Sequence, residues 1–333
     1  MPLRTADFDY ALPPDRIAQH PAEPRDAARL LVLRRDHDAL EHRVVRDLPE
    51  LLAPGDLLVV NDTRVRRARL RGTLADTGGA AELLLLELVD GGAWLALGRP
   101  HRRLRHGRVI DLDGATARIA DRGPDGTLLV VLDPPDAYRT RGEMPLPPYI
   151  HERPADPERY QTVYARDEGS AAAPTAGLHF TPELLSRLRS AGVETAACTL
   201  HVGLDTFRPV TEDDPEQHRM HSEWYELPEA TAAAVTAARA RGGRVVAVGT
   251  TVVRVLEAAG GLASGAGRTR LYIRPGYRFR AVDGLLTNFH LPRTTLLMLV
   301  SAFAGRERVL EAYAEAVRES YRFYSFGDAM LIL

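Results

Sequence analysis

Lysine is absent from this 333-residue chain, so all 43 of its Lys+Arg positions are arginine. That absence excludes Schiff-base catalysis, a lysine-anchored pyridoxal phosphate and the lysine of a phosphate-binding P-loop. The abundance of Arg, Ala, Gly and Pro gives it a plain origin in genomic base composition. Cysteine is nearly absent as well. Cys198 alone rules out an internal disulfide framework and a cysteine-rich zinc site, and its apolar flanks suggest a small buried residue rather than a nucleophile. Long apolar runs are missing: the stretch Leu296-Leu297-Met298-Leu299-Val300 is too short to span a bilayer, and the N-terminus lacks the basic-then-apolar order of a secretory signal. A cytoplasmic protein is expected. The spacing Gly-x-Gly-x-x-Gly occurs neither at Gly249 nor in Gly260-Gly261-Leu262-Ala263-Ser264-Gly265, so there is no dinucleotide fingerprint.

What is present is an ordinary globular composition, 45% hydrophobic, enough for one to three domains. A net charge of −2 does not announce a nucleic-acid protein, but the arginines are clustered. Arg64, Arg66, Arg67, Arg69 and Arg71 form one group, and Arg99, His101, Arg102, Arg103, Arg105, His106 and Arg108 a second. Guanidinium forks suit phosphate oxygens, while nearby carboxylates offer the alternative of a solvated, ion-paired face.

Along the chain, Leu12 to Ile17 opens a short helix, Arg29 to Leu33 reads as a strand, and Asp47 to Leu52 is briefly helical. Leu57 to Val60 is a buried strand that delivers Asn61 to Arg64. From about Ala68 to Tyr149 the texture changes to short strands: Arg69 to Leu74, Ala81 to Val89, Trp94 to Leu97, Arg108 to Leu112, Ala115 to Ile119 and Leu128 to Leu132. Glycine turns separate them, which argues for a small barrel or sandwich, closed by the proline-rich Met144 to Tyr149. Strand and helix then alternate. Thr181 caps a helix with Pro182 at its first position and Gly192 at its end, and Glu194 to Val202 is a strand. Glu229 to Arg241, Thr251 to Ala258 and Arg306 to Tyr321 are helices, and Arg244 to Val248 is a buried strand. The segment Gly260 to Gly267 reads as a loop. The expected architecture is an α/β domain built from both ends of the chain, residues 1–67 and 151–333, with an inserted small β-barrel domain at 68–150.

Polar loops punctuate this pattern, several at strand ends, where ligand sites of open α/β sheets collect. Gly249-Thr250-Thr251 passes from strand to helix through one glycine, a turn that suits a carboxylate, phosphate or ribose hydroxyl or serves only tight packing. His179 before the Thr181 cap and His201 at a strand end can share one sheet edge and face one cavity, or each can be a satisfied structural histidine. His218 and His221 have a helical zinc spacing without a Cys or Asp-rich partner set, so no metal site is expected. His221 and Glu223 would lie on one face of an extended segment, as an acid–base pair or a surface hydrogen bond.

The wording of these loops resembles one family closely. The segments are Phe8 to Pro13, Pro24 to Leu30, Asn61-Asp62-Thr63-Arg64-Val65, Ala173 to Thr181, Thr199 to Leu204, Met220-His221-Ser222-Glu223, Asn288 to Pro292 and Tyr321 to Met330. Together they resemble the S-adenosylmethionine:tRNA ribosyltransferase-isomerase family of queuosine synthesis. The resemblance runs from about Asp7 to the end. It implies transfer of the ribosyl part of S-adenosylmethionine to 7-aminomethyl-7-deazaguanine at the tRNA wobble position, isomerisation to an epoxycyclopentane, and release of adenine and methionine. It also implies an α/β fold carrying a β-barrel, no bound cofactor or metal, and S-adenosylmethionine as co-substrate; tRNA with a GUN-type anticodon is the expected partner and a monomer the expected state. The resemblance identifies the loops and not their duties; from the proton transfers that this chemistry needs, His179 or His201 is the expected base, with His221 and Glu223 assisting adenine departure or the attacking amine. Asn61, Asp62, Thr63, Gly177, Gly249, Thr250, Thr251 and His290 are the expected S-adenosylmethionine contacts, and Arg64, Arg66, Arg67, Arg102 and Arg103 the expected tRNA contacts. The chain departs from the family pattern at Asp205, where glycine is common, at Val252 and Val255, where hydroxyl residues are expected, and at Arg293, in place of a frequent lysine.

Two other readings differ in product. An S-adenosylmethionine-dependent RNA methyltransferase would yield S-adenosylhomocysteine and would usually show a glycine-rich first loop. A non-catalytic tRNA-binding protein would consume nothing.

Overall fold

Continuous β-branched and leucine runs, apolar on both sides of the pleat, build a sheet whose central strands are buried on both faces. The computed structural model describes residues 3–37, 39–89, 91–152, 156–203, 210–260 and 263–333. Its chain divides into two compact units, one of Met1–Thr63, Pro148–Asp167 and Ala173–Leu333, the other of Arg64–Pro147 with Glu168–Ala172.

The first unit carries a nine-stranded sheet. In spatial order its strands are Gly265–Thr269, Glu223–Leu227, Glu194–Leu200, Leu57–Asn61, Val245–Val248, Gly284–Asn288, Ala329–Ile332, Arg29–Leu33 and Leu40–Val44. The middle four from Glu194–Leu200 to Gly284–Asn288 run parallel, with Leu57 opposite both Glu194 and Val245. Every residue of Leu57–Asn61, Val245–Val248 and Gly284–Asn288 is buried. One face packs Leu58, Val60, Val246, Val248 and Leu286 against Phe180, Leu184 and Leu188. The helix supplying those leucines, Pro182–Ser190, starts where the Thr181 hydroxyl accepts from Leu184 N at 3.1 Å. Helices Glu229–Ala240, Thr250–Ala258 and Arg306–Arg318 lie within a few residues of their expected limits.

Some local expectations are corrected. Leu12 to Ile17 yields only a 3₁₀ turn, Pro14–Arg16, because successive prolines remove helical donors. The end of the Gly260 to Gly267 segment is a strand, Gly265–Thr269, paired with Glu223–Leu227. The apolar stretch around Leu297 is the middle of a buried helix, Thr295–Ala304, capped by Thr294 Oγ1. Among the described residues no helix is long and apolar enough to cross a membrane.

The second unit is a closed six-stranded barrel in the order Leu128–Asp133, Trp94–Arg99, Ala80–Leu88, Arg69–Leu74, Val109–Asp111 and Thr116–Arg122. Closure leaves no free sheet edge, which decides between the barrel and the sandwich. Register shifts between Leu85 and Glu87 and between Leu129 and Val130 supply the local bends that a small barrel needs. Leu70, Leu83, Leu85, Trp94, Ala96, Ile119, Leu128 and Val130 fill the interior. Gly98 is small for the same reason: a Cβ there would lie 2.3 Å from Leu104 Cδ1 and 2.7 Å from Leu128 Cδ1. Backbone bonding from Arg66 N to Ser170 O at 2.9 Å joins the returning segment to this unit.

Candidate active site

Three adjacent parallel strands, Leu57–Asn61, Val245–Val248 and Gly284–Asn288, end on the same side of the sheet, and loops from the last two frame a cleft of about 600 Å³. Gly249, Thr250, Thr251, Asn288, His290 and Thr175 are among its lining residues, with Tyr149 and Tyr324. Gly249 has φ +94°, a conformation that favours glycine, and its N–H donates to Leu286 O at 2.8 Å. The nine-residue helix therefore begins at Thr250, and its positive end faces this side of the sheet.

His290 enters the cleft on a backbone held at 3.0 Å by the Tyr313 hydroxyl, which accepts from its N–H. Its Nε2 lies 2.7 Å from Thr287 Oγ1. Burial pushes the imidazole down to about 3, so it is neutral at physiological pH. Asn288 next to it accepts from the Thr175 hydroxyl at 2.9 Å and donates to Tyr324 O at 3.0 Å, which locks three segments around the cleft.

The remaining candidates are placed elsewhere. Asn61 spends its amide on structure: Nδ2 donates to Leu200 O at 3.0 Å and Thr251 Oγ1 at 3.2 Å, and Oδ1 accepts from Leu200 N and Thr63 N, both at 3.1 Å. It fixes Thr251 without lining the cleft. Asp62 is buried, accepts from Thr199 Oγ1 at 2.7 Å and pairs with Arg166 at 2.8 Å; burial outweighs both and raises its carboxyl above the usual range. Thr63 Oγ1 holds His201 Nδ1 at 2.9 Å, and the His201 ring stacks on Trp224 with centroids 4.9 Å apart. Gly177 is packed so tightly that a Cβ would lie 2.1 Å from Tyr164 Oη.

His179 does not join His201 at a shared cavity. Its Nδ1 lies 3.1 Å from Ala176 O and its Nε2 2.9 Å from Gly327 O, so both ring nitrogens face backbone carbonyls, and burial lowers its affinity for a proton. This is the geometry of a structural pin. His221 and Glu223 do border one cavity, a second cleft beside the first. Glu223 is buried there, with Oε1 accepting from Gly203 N at 2.9 Å and Oε2 paired with Arg254. His218 turns to Glu212 at 3.1 Å, and among the described residues no group of three or more His, Cys, Asp or Glu side chains is placed to hold a metal ion.

A family model and several relatives match the chain over nearly its whole length. The model described as "Queuosine biosynthesis protein" matches residues 5–332. The chain belongs to that family. Among similar proteins, the S-adenosylmethionine:tRNA ribosyltransferase-isomerase of Moorella thermoacetica is 58% identical over 99% of this chain and 100% of its own length. Its counterpart in Symbiobacterium thermophilum is 54% identical, with the same coverage. The crystal structure of S-adenosylmethionine tRNA ribosyltransferase from Thermotoga maritima is similar at 43% identity, covering 98% of this chain and 100% of that one, with a TM-score of 0.58. Membership bears out the resemblance drawn from the loops and the mixed α/β architecture with a barrel.

The family departures have separate explanations. Val252 and Val255 are fully buried and serve the core. Arg293 pairs with Asp9 across 284 positions of sequence. Asp205 lies outside the described residues. On the barrel, Arg102 and Arg103 are exposed on a 3₁₀ turn, His101–Arg103. Arg66 is engaged instead, with its guanidinium 4.6 Å from the Trp94 ring centre and 3.5 Å from Glu168, while Arg64 is half-buried and Arg67 exposed. Sequence reasoning missed Arg254, Thr175 and Tyr324 as cleft residues. For Arg254 a signal existed: it stands between Val252-Val253 and Val255-Leu256, an apolar setting for a charged residue.

Proposed function

We propose that this chain transfers and isomerises the ribosyl moiety of S-adenosylmethionine onto 7-aminomethyl-7-deazaguanine at the tRNA wobble position, giving epoxyqueuosine and releasing adenine and methionine. The observation that carries this reading is the end-to-end similarity, at more than half of all positions, to proteins named for this transfer. The cleft at the parallel strand ends supports it with polar groups at a helix N-terminus and a neutral imidazole.

The chemistry needs a base for a proton next to the sulfonium, a partner for the departing adenine nitrogen, and a neutral attacking amine. In our reading Thr250, Thr251 and the helix start at Gly249 bind the ribosyl part. With the Thr287 hydroxyl donating to Nε2, the His290 ring carries its proton on Nδ1 and offers it as a hydrogen bond to the leaving adenine. We assign the base to His201, half-buried beside the cleft residue Val202, rather than to His179, which is buried against two backbone carbonyls. Exposed Arg102 and Arg103 bind the phosphate backbone of the anticodon arm. The substrates are tRNAs with a GUN-type anticodon, the protein acts as a cytoplasmic monomer, and S-adenosylmethionine is consumed with no resident cofactor or metal.

The test is to incubate the protein with S-adenosylmethionine and tRNA carrying the aminomethyl base, then to measure adenine, methionine and the nucleoside by mass spectrometry. Adenine and methionine with epoxyqueuosine are expected; S-adenosylhomocysteine would replace the reading with methyl transfer. In the same assay His201→Ala is expected to lose about 100-fold or more in turnover, as for removal of a general base. Near wild-type turnover would move the base to another residue.

A further inference from the structure

The second cleft, about 540 Å³, shares the wall residue Leu296 with the first. Its walls are apolar at Met220, Leu271, Ile273 and Leu299 and polar at His218, His221, Tyr272 and Thr295. One ion pair is set into them. Arg254 and Glu223 are each more than nine-tenths buried, so neither charge is supported by bulk water. Arg254 rises from the helix Thr250–Ala258 that also borders the first cleft, and its Nε donates to Leu271 O at 3.2 Å while Nη1 donates to Glu223. Its Nη2 is closed to water and has no hydrogen-bond partner among the described residues. A buried guanidinium edge without an acceptor is rare in native proteins and calls for one.

We infer that this cleft holds the α-amino acid end of S-adenosylmethionine, with a turn of the Arg254 guanidinium bringing Nη2 to its carboxylate and with its ammonium donating to Glu223. The inference rests on the proposed consumption of S-adenosylmethionine and adds the place where its methionyl part binds. Charge selects the ligand. The Arg254–Glu223 pair sums to zero, so a zwitterion leaves the buried charges balanced, whereas a phosphate would set further negative charge beside Glu223. Each Glu223 oxygen has a lone pair left after its contact with Gly203 N or Arg254. The apolar walls match the methylene chain, and the shared Leu296 puts the ribosyl cleft next door.

The experiment compares binding of S-adenosylmethionine and its decarboxylated analogue to the full chain by calorimetry, in the presence of unmodified tRNA. Wild-type protein is expected to prefer S-adenosylmethionine by on the order of tenfold to a hundredfold, the effect of one buried hydrogen bond between charged groups. That preference should collapse in Arg254→Lys, which keeps the charge balance with Glu223 but removes the Nη2 edge. The double variant Glu223→Gln/Arg254→Met, which buries no lone charge, should also lose it. Equal affinity of the wild type for the two ligands, or a preference that survives in a folded variant, overturns the inference. If adenine is released while the carboxylate makes no difference, this inference falls and the proposed function stands. If the protein neither binds S-adenosylmethionine nor releases adenine, both fall.

Discussion

Burial holds the His290 imidazole near 3 in the folded chain, against about 6.5 when the chain is unfolded and the ring is in water. Between those values the unfolded state binds the extra proton. The contribution of His290 to stability is therefore complete above about pH 6.5 and is lost as the pH falls toward about 3, with a slope of at most about 1.4 kcal/mol per pH unit. His179, lowered for the same reason, acts in the same direction. Denaturant titrations across this range should show the decline, and His290→Gln should flatten it; an unchanged slope would mean that the ring is hydrated in solution. At this scale the sequence named residues but not what their side chains touch. Asn61, Asp62, Gly177 and His179 stand in the loops that carry the family resemblance, yet their side chains or small size serve strand ends, carbonyls and packing. Whether an imidazole faces a cleft or a carbonyl depends on residues such as Gly327, 148 positions away.

Elements were largely legible because their signals are local. The Thr181 cap, the proline after it and the glycine beyond its end bound one helix, and the Gly249 turn marks the start of another. Gly249→Ala offers a clean test of that turn, since the added Cβ would find only ordinary contacts, the nearest 3.6 Å away at Ala176. Its cost comes from the backbone at φ +94°, about 1–3 kcal/mol of stability by chemical denaturation, with weaker S-adenosylmethionine binding as the helix start shifts. A loss below about 0.5 kcal/mol would show that the turn relaxes freely. Elements that the sequence concealed are those whose pattern is non-local. Gly265–Thr269 has no apolar periodicity and is a strand because Glu223–Leu227 pairs with it, and Leu40–Val44 is held at the sheet edge by Arg29–Leu33.

For the molecule as a whole, charge is distributed by fold and not by composition. The arginine groups look alike in sequence, yet Arg66 is stacked and paired whereas Arg102 and Arg103 are exposed on the barrel. Charge reversal at Arg102 and Arg103 together should weaken tRNA binding and reduce the slope of log K against log salt by about 1–2, while S-adenosylmethionine binding is kept. An unchanged tRNA affinity would remove this turn from the RNA contact. The sequence by itself determined the α/β and barrel textures, because strand and helix periods and glycine turns act over a few residues. Its loop wording determined the family as well. Tertiary structure alone decided the barrel's closure, the neutral state of His290 and the burial of Arg254 against Glu223. Each of those depends on partners distant in sequence, and both a pKa and an ion pair are set by what surrounds a group after the chain has collapsed.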